Sequence, residues 1–181
     1  MKPDAKMTAY LARSTKRTHM ASDARLEIGR PKGQCTWCGK PVMSSRRTWC
    51  SGECIAQWDV LASTTVARHM TWRRDNGVCA SCGVDTERIK RIFQVLWMRT
   101  WGEQKVPRLS KGADLLSEWI GRNVAFSHTA HMPHLWEMDH IVPVVEGGGG
   151  LGLDNLRTLC IPCHHAETAK LRRRLSKSLN F

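Results

Sequence analysis

The stretch WEMDHIVPVVEGGGGLGLDNLRTLCIPCHH, residues 136–165, decides the fold of this chain. Its first part has the apolar alternation of a short strand, and it places Asp139 and His140 side by side. The four glycines at 147–150 permit tight turns and a close approach of the backbone to another group. The chain then returns through LDNLRTLC, which predicts a second short strand with Asn155 just ahead of it.

The end of the same stretch predicts a helix. Proline suits the first helical turn, so Pro162 favours a helix over IPCHHAETAKLRRRLSK, with Cys163 and His164 near its start. A strand, a loop, a strand and a helix make a ββα unit. Neighbouring residues of a strand point to opposite faces, so Asp139 and His140 cannot both reach one ion by simple extension.

Eight cysteines occur as four close pairs along the chain. The pairs are Cys35/Cys38, Cys50/Cys54, Cys79/Cys82 and Cys160/Cys163. A disulfide framework is one interpretation, but the opening MKPDAKMTAYLARSTKR lacks the apolar core of a secretion signal, which favours a reducing compartment. A CxxC knuckle points both sulfurs at one tetrahedral centre, so the pairs predict two four-thiolate zinc sites. The first two pairs would form one site, and the last two pairs would form the other.

The chain is strongly basic. Its formal net charge is +12 and its pI is about 9.8. Two zinc ions held by eight thiolates would remove about four of these charges, so the metal-loaded protein stays basic. Such a surplus favours a polyanionic partner, and nucleic acid is the commonest one inside cells, although a solvated surface is the alternative. No window approaches the roughly 20 apolar residues of a membrane span.

The order of these features predicts the domain organisation. Residues 1–33 are polar and basic and predict a flexible arm, either disordered or loosely helical. Such a basic arm can also lie along a phosphate backbone. Residues 34–60 predict a small zinc finger, whose role is either structural or includes DNA contact through Lys40, Arg46 and Arg47. Residues 61–181 would form the second domain, with a helical insertion at 84–134. The expected fold class is α+β, with a zinc-stabilised, treble-clef-like ββα core.

A basic run follows His164 on the predicted last helix. Its members are Lys170, Arg172, Arg173, Arg174 and Lys177. A solvated helix face is the default interpretation of such a run. Because this helix carries Cys163 and His164 near its start and directly follows the second predicted strand, we expect its basic run to bind phosphates of DNA.

The sequence resembles the HNH, or ββα-metal, endonuclease family through Asp139-His140, then Asn155, then CxxC followed by His164. The two intervals from His140 to Asn155 and from Asn155 to His164 are typical of that family. From about Trp49 to about Arg174 the chain is similar to the HNH module of eukaryotic SNF2-type annealing helicases. That module combines a WCS finger, a GVCASC-like knuckle, a helical insertion and the core quoted above.

The resemblance implies an endonuclease that hydrolyses DNA and leaves 5′-phosphate and 3′-hydroxyl ends. His140 would be the general base, which suits an imidazole with an unperturbed pKa of about 6.5. Asp139 and His164 would bind one divalent ion, for which magnesium, manganese and nickel all remain open. Asn155 would hydrogen-bond the backbone near His140. His165 leaves the helix about 100° away from His164 and is the weaker candidate ligand.

Two other functions stay open at the level of sequence. A non-catalytic, zinc-dependent DNA-binding module would account for the cysteines and the charge, but it has no use for Asp139, His140 or His164. A protein-interaction finger would account for the cysteines alone. The expected location is intracellular, in the cytoplasm or in the nucleus of a eukaryote, and the oligomeric state is open.

Overall fold

The computed structural model describes residues 2–13, 21–43, 46–100, 118 and 134–178. Within these residues the fold is mixed α+β, and a β-hairpin followed by a helix confirms the predicted ββα order. The helices are α1 (Ala5–Arg13), α2 (Ala21–Glu27), α3 (Gly52–Ala62), α4 (Thr64–Asp75), α5 (Thr86–Thr100) and α6 (Ile161–Ser178). The strands are β1 (Trp136–His140) and β2 (Leu156–Cys160), and three short 3-10 turns lie in the loop between them.

The two strands form one two-stranded sheet. At one end the amide of Ile141 donates to the carbonyl of Asn155 at 2.8 Å, and at the other end the amide of Ile161 donates to the carbonyl of Leu135 at 3.3 Å. Together these bonds fix an antiparallel register. In that register Asp139 lies directly opposite Arg157.

The chain divides into two compact units. The N-terminal unit comprises Met1–Thr71 and His140–Leu156, and the C-terminal unit comprises Trp72–Asp139 and Arg157–Phe181. The loop that joins the two strands therefore belongs to the N-terminal unit, while most of the two strands and all of α6 belong to the C-terminal unit. The predicted boundaries of an arm, a finger and a nuclease domain stay a prediction.

The N-terminal unit has its core beside the first cysteine cluster. Its buried side chains include Met7, Tyr10, Ala24, Ile28, Trp37 and Trp58. The Arg30 side chain, which is 3% exposed, forms an ion pair with Asp4 at 2.6 Å. Asp4 in turn accepts from the Met7 amide at 3.0 Å and so caps α1.

Residues 1–33, for which composition predicted a basic arm, contribute helices to the N-terminal unit in their described parts. The described parts of that segment contain α1 and α2, and both helices contribute buried residues to the core. Met7 and Tyr10 are three residues apart and fall on one face of α1, where a short apolar stripe is enough to bury the helix.

The C-terminal unit is built on the knuckle of Cys79 and Cys82. The Cys79 amide donates to the Val84 carbonyl at 2.9 Å, and the Ala80 amide donates to the Thr158 carbonyl of β2 at 2.8 Å. Asp75, the last residue of α4, accepts from the Thr158 amide at 2.9 Å. The knuckle and the last turn of α4 are therefore both hydrogen-bonded to β2.

Helix boundaries follow the local sequence signals. The Ser51 side chain accepts from the Cys54 amide at 3.3 Å and caps α3, which places Cys54 in the first turn. Asn76 and Gly77 take positive φ angles and end α4, as an Asn-Gly pair commonly does. No helix in the described ranges is apolar and long enough to cross a membrane. Of the helical insertion predicted at 84–134, the described part contains α5, while residues 101–117 and 119–133 lie outside the described residues.

Candidate active site and zinc centres

All eight cysteines are free thiols, and they gather in two clusters of four. The first cluster is Cys35, Cys38, Cys50 and Cys54, and the second is Cys79, Cys82, Cys160 and Cys163, as the spacing predicted. In each cluster the four Sγ atoms lie within 4.8 Å of one another. Within the described chain, these are the groups of three or more candidate ligands that come together.

The sulfur spacings fit zinc. Tetrahedral zinc with Zn–S bonds of about 2.3 Å requires sulfurs about 3.8 Å apart. In the first cluster the Sγ of Cys38 lies 3.5 Å from Cys50 and 3.8 Å from Cys54, and Cys50 lies 3.7 Å from Cys54. In the second cluster Cys82 and Cys160 are 3.7 Å apart. Both donor sets are therefore consistent with structural zinc sites.

Each cluster holds one thiol that ionises easily. Burial raises the pKa of Cys35, but backbone N–H groups, chiefly those of Cys38 and Cys50, outweigh it and lower the pKa to about 7. Burial likewise raises the pKa of Cys79, and the backbone N–H groups of Cys160 and Cys82 lower it to about 6.

The remaining perturbed thiols shift the other way. Burial raises the pKa of Cys38, Cys54, Cys160 and Cys163. A cation in each cluster would supply the charge that lets the remaining thiols ionise together.

Asn155 anchors the loop between the strands, and its side chain is almost fully used. Its Oδ1 accepts from the Val142 amide at 2.8 Å, while its Nδ2 donates to the carbonyls of Val142 at 3.0 Å and Gly148 at 2.8 Å. Asn155 is 6% exposed. These three bonds hold the backbone two residues after His140, and the catalytic role of Asn155 itself stays a prediction.

The glycine run fits closely around this anchor. A Cβ atom on Gly148 would lie 1.7 Å from the Val142 carbonyl oxygen, so a side chain is excluded there. A Cβ on Gly150 would lie 2.9 Å from Cβ of Leu11, because α1 packs against this turn. A Cβ on Gly152, at φ +72°, would lie 3.0 Å from Oε1 of Gln57 on α3. Close packing therefore explains Gly148 and Gly150, and the positive φ explains Gly152.

Asp139 is held by an arginine. Both Nε and Nη2 of Arg157 contact Oδ2 of Asp139 at 2.8 Å. Nη2 of Arg157 also lies 3.5 Å from Oε2 of Glu167. The other carboxylate oxygen of Glu167, Oε1, accepts from Nζ of Lys170 at 2.7 Å. The Lys170 hydrogen bond is the main cause that lowers the pKa of Glu167, and Arg157 adds to it.

The sequence reasoning missed Arg157 and Glu167. Two signals could have found them. Arg157 stands opposite Asp139 once the hairpin register is drawn, and opposite charges on facing strand positions pair. Glu167 lies three residues after His164, on the same side of the helix.

His164 and His165 lie in the first turns of α6, with ring centroids 6.3 Å apart. His164 belongs to the same unit as Asp139, whereas His140 and Asn155 belong to the N-terminal unit. The grouping of Asp139, His140 and His164 around one ion therefore stays a prediction.

The basic run on α6 is exposed to solvent. Its described members are Lys170, Arg172, Arg173, Arg174 and Lys177. Lys170 pairs with Glu167 one turn earlier. The exposed helix is compatible with DNA contact, which stays a prediction.

Residues 123–170 match the family described as HNH endonuclease. Over this segment the chain belongs to the HNH endonuclease family. The matched segment contains Asp139, His140, Asn155 and His164, together with the Cys160/Cys163 pair.

Three curated relatives are mammalian proteins called "DNA annealing helicase and endonuclease ZRANB3". The mouse protein is 30% identical over 156 residues, which is 78% of this chain and 14% of the relative. The human protein is 29% identical over 153 residues, 75% of this chain and 13% of the relative. The bovine protein is 27% identical over 150 residues, with the same coverage as the human one. This chain thus spans about one seventh of the relatives that it matches. No solved structure matches it significantly.

Proposed function

We propose that this protein is a metal-dependent endonuclease that hydrolyses DNA phosphodiester bonds and leaves 5′-phosphate and 3′-hydroxyl ends. The observation that carries the proposal is the family match over residues 123–170, which includes all four residues assigned to the chemistry. The relatives support it, since their shared name includes an endonuclease activity. The loop anchored by Asn155 supports it as well, because a catalytic group needs a fixed backbone.

In the proposed reaction His140 accepts a proton from the attacking water as general base. Asp139 and His164 would bind one divalent ion, magnesium or a related metal. When bound, that ion supplies positive charge to the phosphate oxygens and the leaving oxygen. A carboxylate and an imidazole suit such an ion, and a set of two protein ligands leaves coordination positions for substrate and water.

The basic run of α6 binds DNA in this proposal. Its arginines and Lys177 lie on an exposed helix that begins at the second cysteine cluster. Charge pairing with phosphates is independent of base sequence and weakens with salt. Replacing both Arg172 and Arg173 by Gln should therefore weaken DNA binding at every sequence. It should also reduce the slope of log affinity against log salt concentration by the contribution of about two phosphate contacts.

The decisive experiment compares wild type with His140→Ala on supercoiled, linear, flapped and single-stranded DNA, with and without magnesium. We expect cleavage by the wild type only with the divalent ion, and no cleavage by His140→Ala. The variant should keep two zinc ions per chain and wild-type DNA affinity, because His140 is not a cysteine-cluster ligand.

The same experiment separates the two classes of function. Cleavage by His140→Ala at the wild-type rate would contradict the assignment of the general base. Tight DNA binding without cleavage by the wild type, under every metal tested, would identify a non-catalytic DNA-binding module instead.

A further inference from the structure

Arg157 joins three elements of the C-terminal unit. It lies on β2, faces Asp139 of β1 in the hairpin register, and reaches Glu167 of α6. The side chains of Asp139, Arg157 and Glu167 are 19%, 25% and 28% exposed, so the three charges are largely removed from solvent. An ion pair in such a position requires good geometry, since desolvation opposes it.

The geometry at Asp139 is asymmetric. Both guanidinium nitrogens contact the same oxygen, Oδ2. Among the described residues, Oδ1 of Asp139 makes no hydrogen bond or ion pair. The carboxylate is therefore fixed in orientation, with one oxygen used by the protein and the other available to a ligand.

The net charge of these side chains also bears on whether a cation can bind at Asp139. A guanidinium stays protonated in proteins, so Arg157 alone would cancel the charge of Asp139 and repel a divalent cation. Glu167 provides a second carboxylate on the far side of Arg157. Lys170 also contacts Glu167 at 2.7 Å, but its side chain is 63% exposed, so solvent screens its charge. The three less exposed side chains together keep a net negative charge, which favours a cation at Asp139.

We propose that Arg157 is a positioning residue that orients Asp139 with Oδ1 toward the divalent ion, and that Glu167 offsets the charge of Arg157. This inference rests on the proposed function, because it requires an ion at Asp139. Groups that orient a ligand in this way typically change metal affinity 10–100-fold when they are lost.

The test measures binding of Mn²⁺ to the zinc-loaded protein by titration calorimetry and by electron paramagnetic resonance. The metal dependence of DNA cleavage is followed in parallel. We expect Arg157→Gln to weaken Mn²⁺ binding about 10–100-fold and Glu167→Gln to weaken it several-fold, with zinc content unchanged. Arg157→Lys should restore part of the affinity, because it keeps the charge but loses the paired nitrogens. Arg88→Gln, which removes an exposed arginine of the same unit, is the matched control and should bind Mn²⁺ as the wild type does.

The sign of the change decides the question. If Arg157→Gln binds Mn²⁺ equally well or more tightly while the wild type still binds and cleaves, Arg157 competes with the ion or only packs, and the inference is wrong. If Arg157→Gln does not fold, Glu167→Gln alone decides, and unchanged or tighter Mn²⁺ binding by it overturns the inference. A wild-type protein that neither binds Mn²⁺ beyond its zinc sites nor cleaves DNA would overturn the proposed function and this inference together.

Discussion

In Asn155→Asp, a carboxylate oxygen replaces the amide nitrogen of the side chain that anchors the loop between the strands. In the wild-type protein, the side-chain nitrogen of Asn155 donates to the carbonyls of Val142 and Gly148. A carboxylate in its place would point an oxygen at those two carbonyl oxygens and would lose both donors. We expect the loop over residues 141–152 to open, while both zinc sites stay intact.

The magnitude follows from the two hydrogen bonds that the substitution removes, those donated by Nδ2 of Asn155. Each net hydrogen bond stabilises by about 0.5–1.5 kcal/mol, and a buried group left unpaired costs about 1–3 kcal/mol. Because Asn155 is nearly buried, the expected loss is about 3 kcal/mol. A loss of this size multiplies the population of the open loop roughly a hundredfold.

Three measurements check this prediction. Hydrogen exchange followed by mass spectrometry should show faster exchange in peptides that cover residues 141–152. Urea unfolding should report the loss of about 3 kcal/mol, provided that the loop unfolds cooperatively with its unit. The DNA cleavage rate should fall, by up to about a hundredfold where the open loop becomes the major state, with two zinc ions still bound per chain.

Asp154→Asn is the matched control, since Asp154 is the exposed neighbour of Asn155 and the substitution is the reverse one. It should leave exchange, stability and cleavage unchanged. Wild-type exchange and stability in Asn155→Asp would refute the anchoring argument itself. Faster exchange with an unchanged cleavage rate would refute the link between the loop and the chemistry.

Other perturbations test the scaffold. Cys79→Ser or Cys160→Ser should unfold the C-terminal unit, because a structural zinc site supplies on the order of 10 kcal/mol; circular dichroism and zinc analysis would detect a folded, zinc-depleted protein that contradicts this. Asp4→Asn should lower the free energy of unfolding by about 2 kcal/mol, since it keeps a helix cap but removes the charge facing Arg30. The Arg30 hydrogen bond lowers the pKa of Asp4, so this stabilisation is present above about pH 4 and is lost as pH falls through the lowered value. Unfolding curves of the two proteins should therefore converge in acid, and parallel curves would contradict the assignment. Gly150→Ala should reduce the thermal stability of the N-terminal unit by collision with α1, and an unchanged melting temperature would show that α1 can shift.

Short-range signals in the sequence predicted much of this structure. The CxxC and CxxxC spacings predicted the two cysteine clusters. Ser51 before α3 and the Asn-Gly pair after α4 are local signals that mark the ends of those helices. The alternation, the glycines and Pro162 predicted the order of the ββα unit. These signals succeed because each acts over a few residues and has a single physical cause.

Contacts between distant segments could not be predicted in the same way. The packing of α1 depends on Arg30 and on a glycine that lies 139 positions after Leu11 in the chain, at Gly150. The pairing of Asp139 with Arg157 depends on the hairpin register, which was not drawn from the sequence. Residues 1–33 are polar and basic in composition, and composition alone does not reveal an apolar helix stripe as short as Met7 and Tyr10.

The packing of α1 and α3 against the glycine loop bears on how far the HNH motif can be transplanted. A fragment that begins at residue 61 would retain every residue assigned to the reaction, yet it would omit Leu11 and Gln57, on which Gly150 and Gly152 rest. Grafting only that portion onto another protein would transfer the motif without the helices that pack against its glycine loop. The shortest portable version of this HNH segment therefore includes the amino-terminal helices.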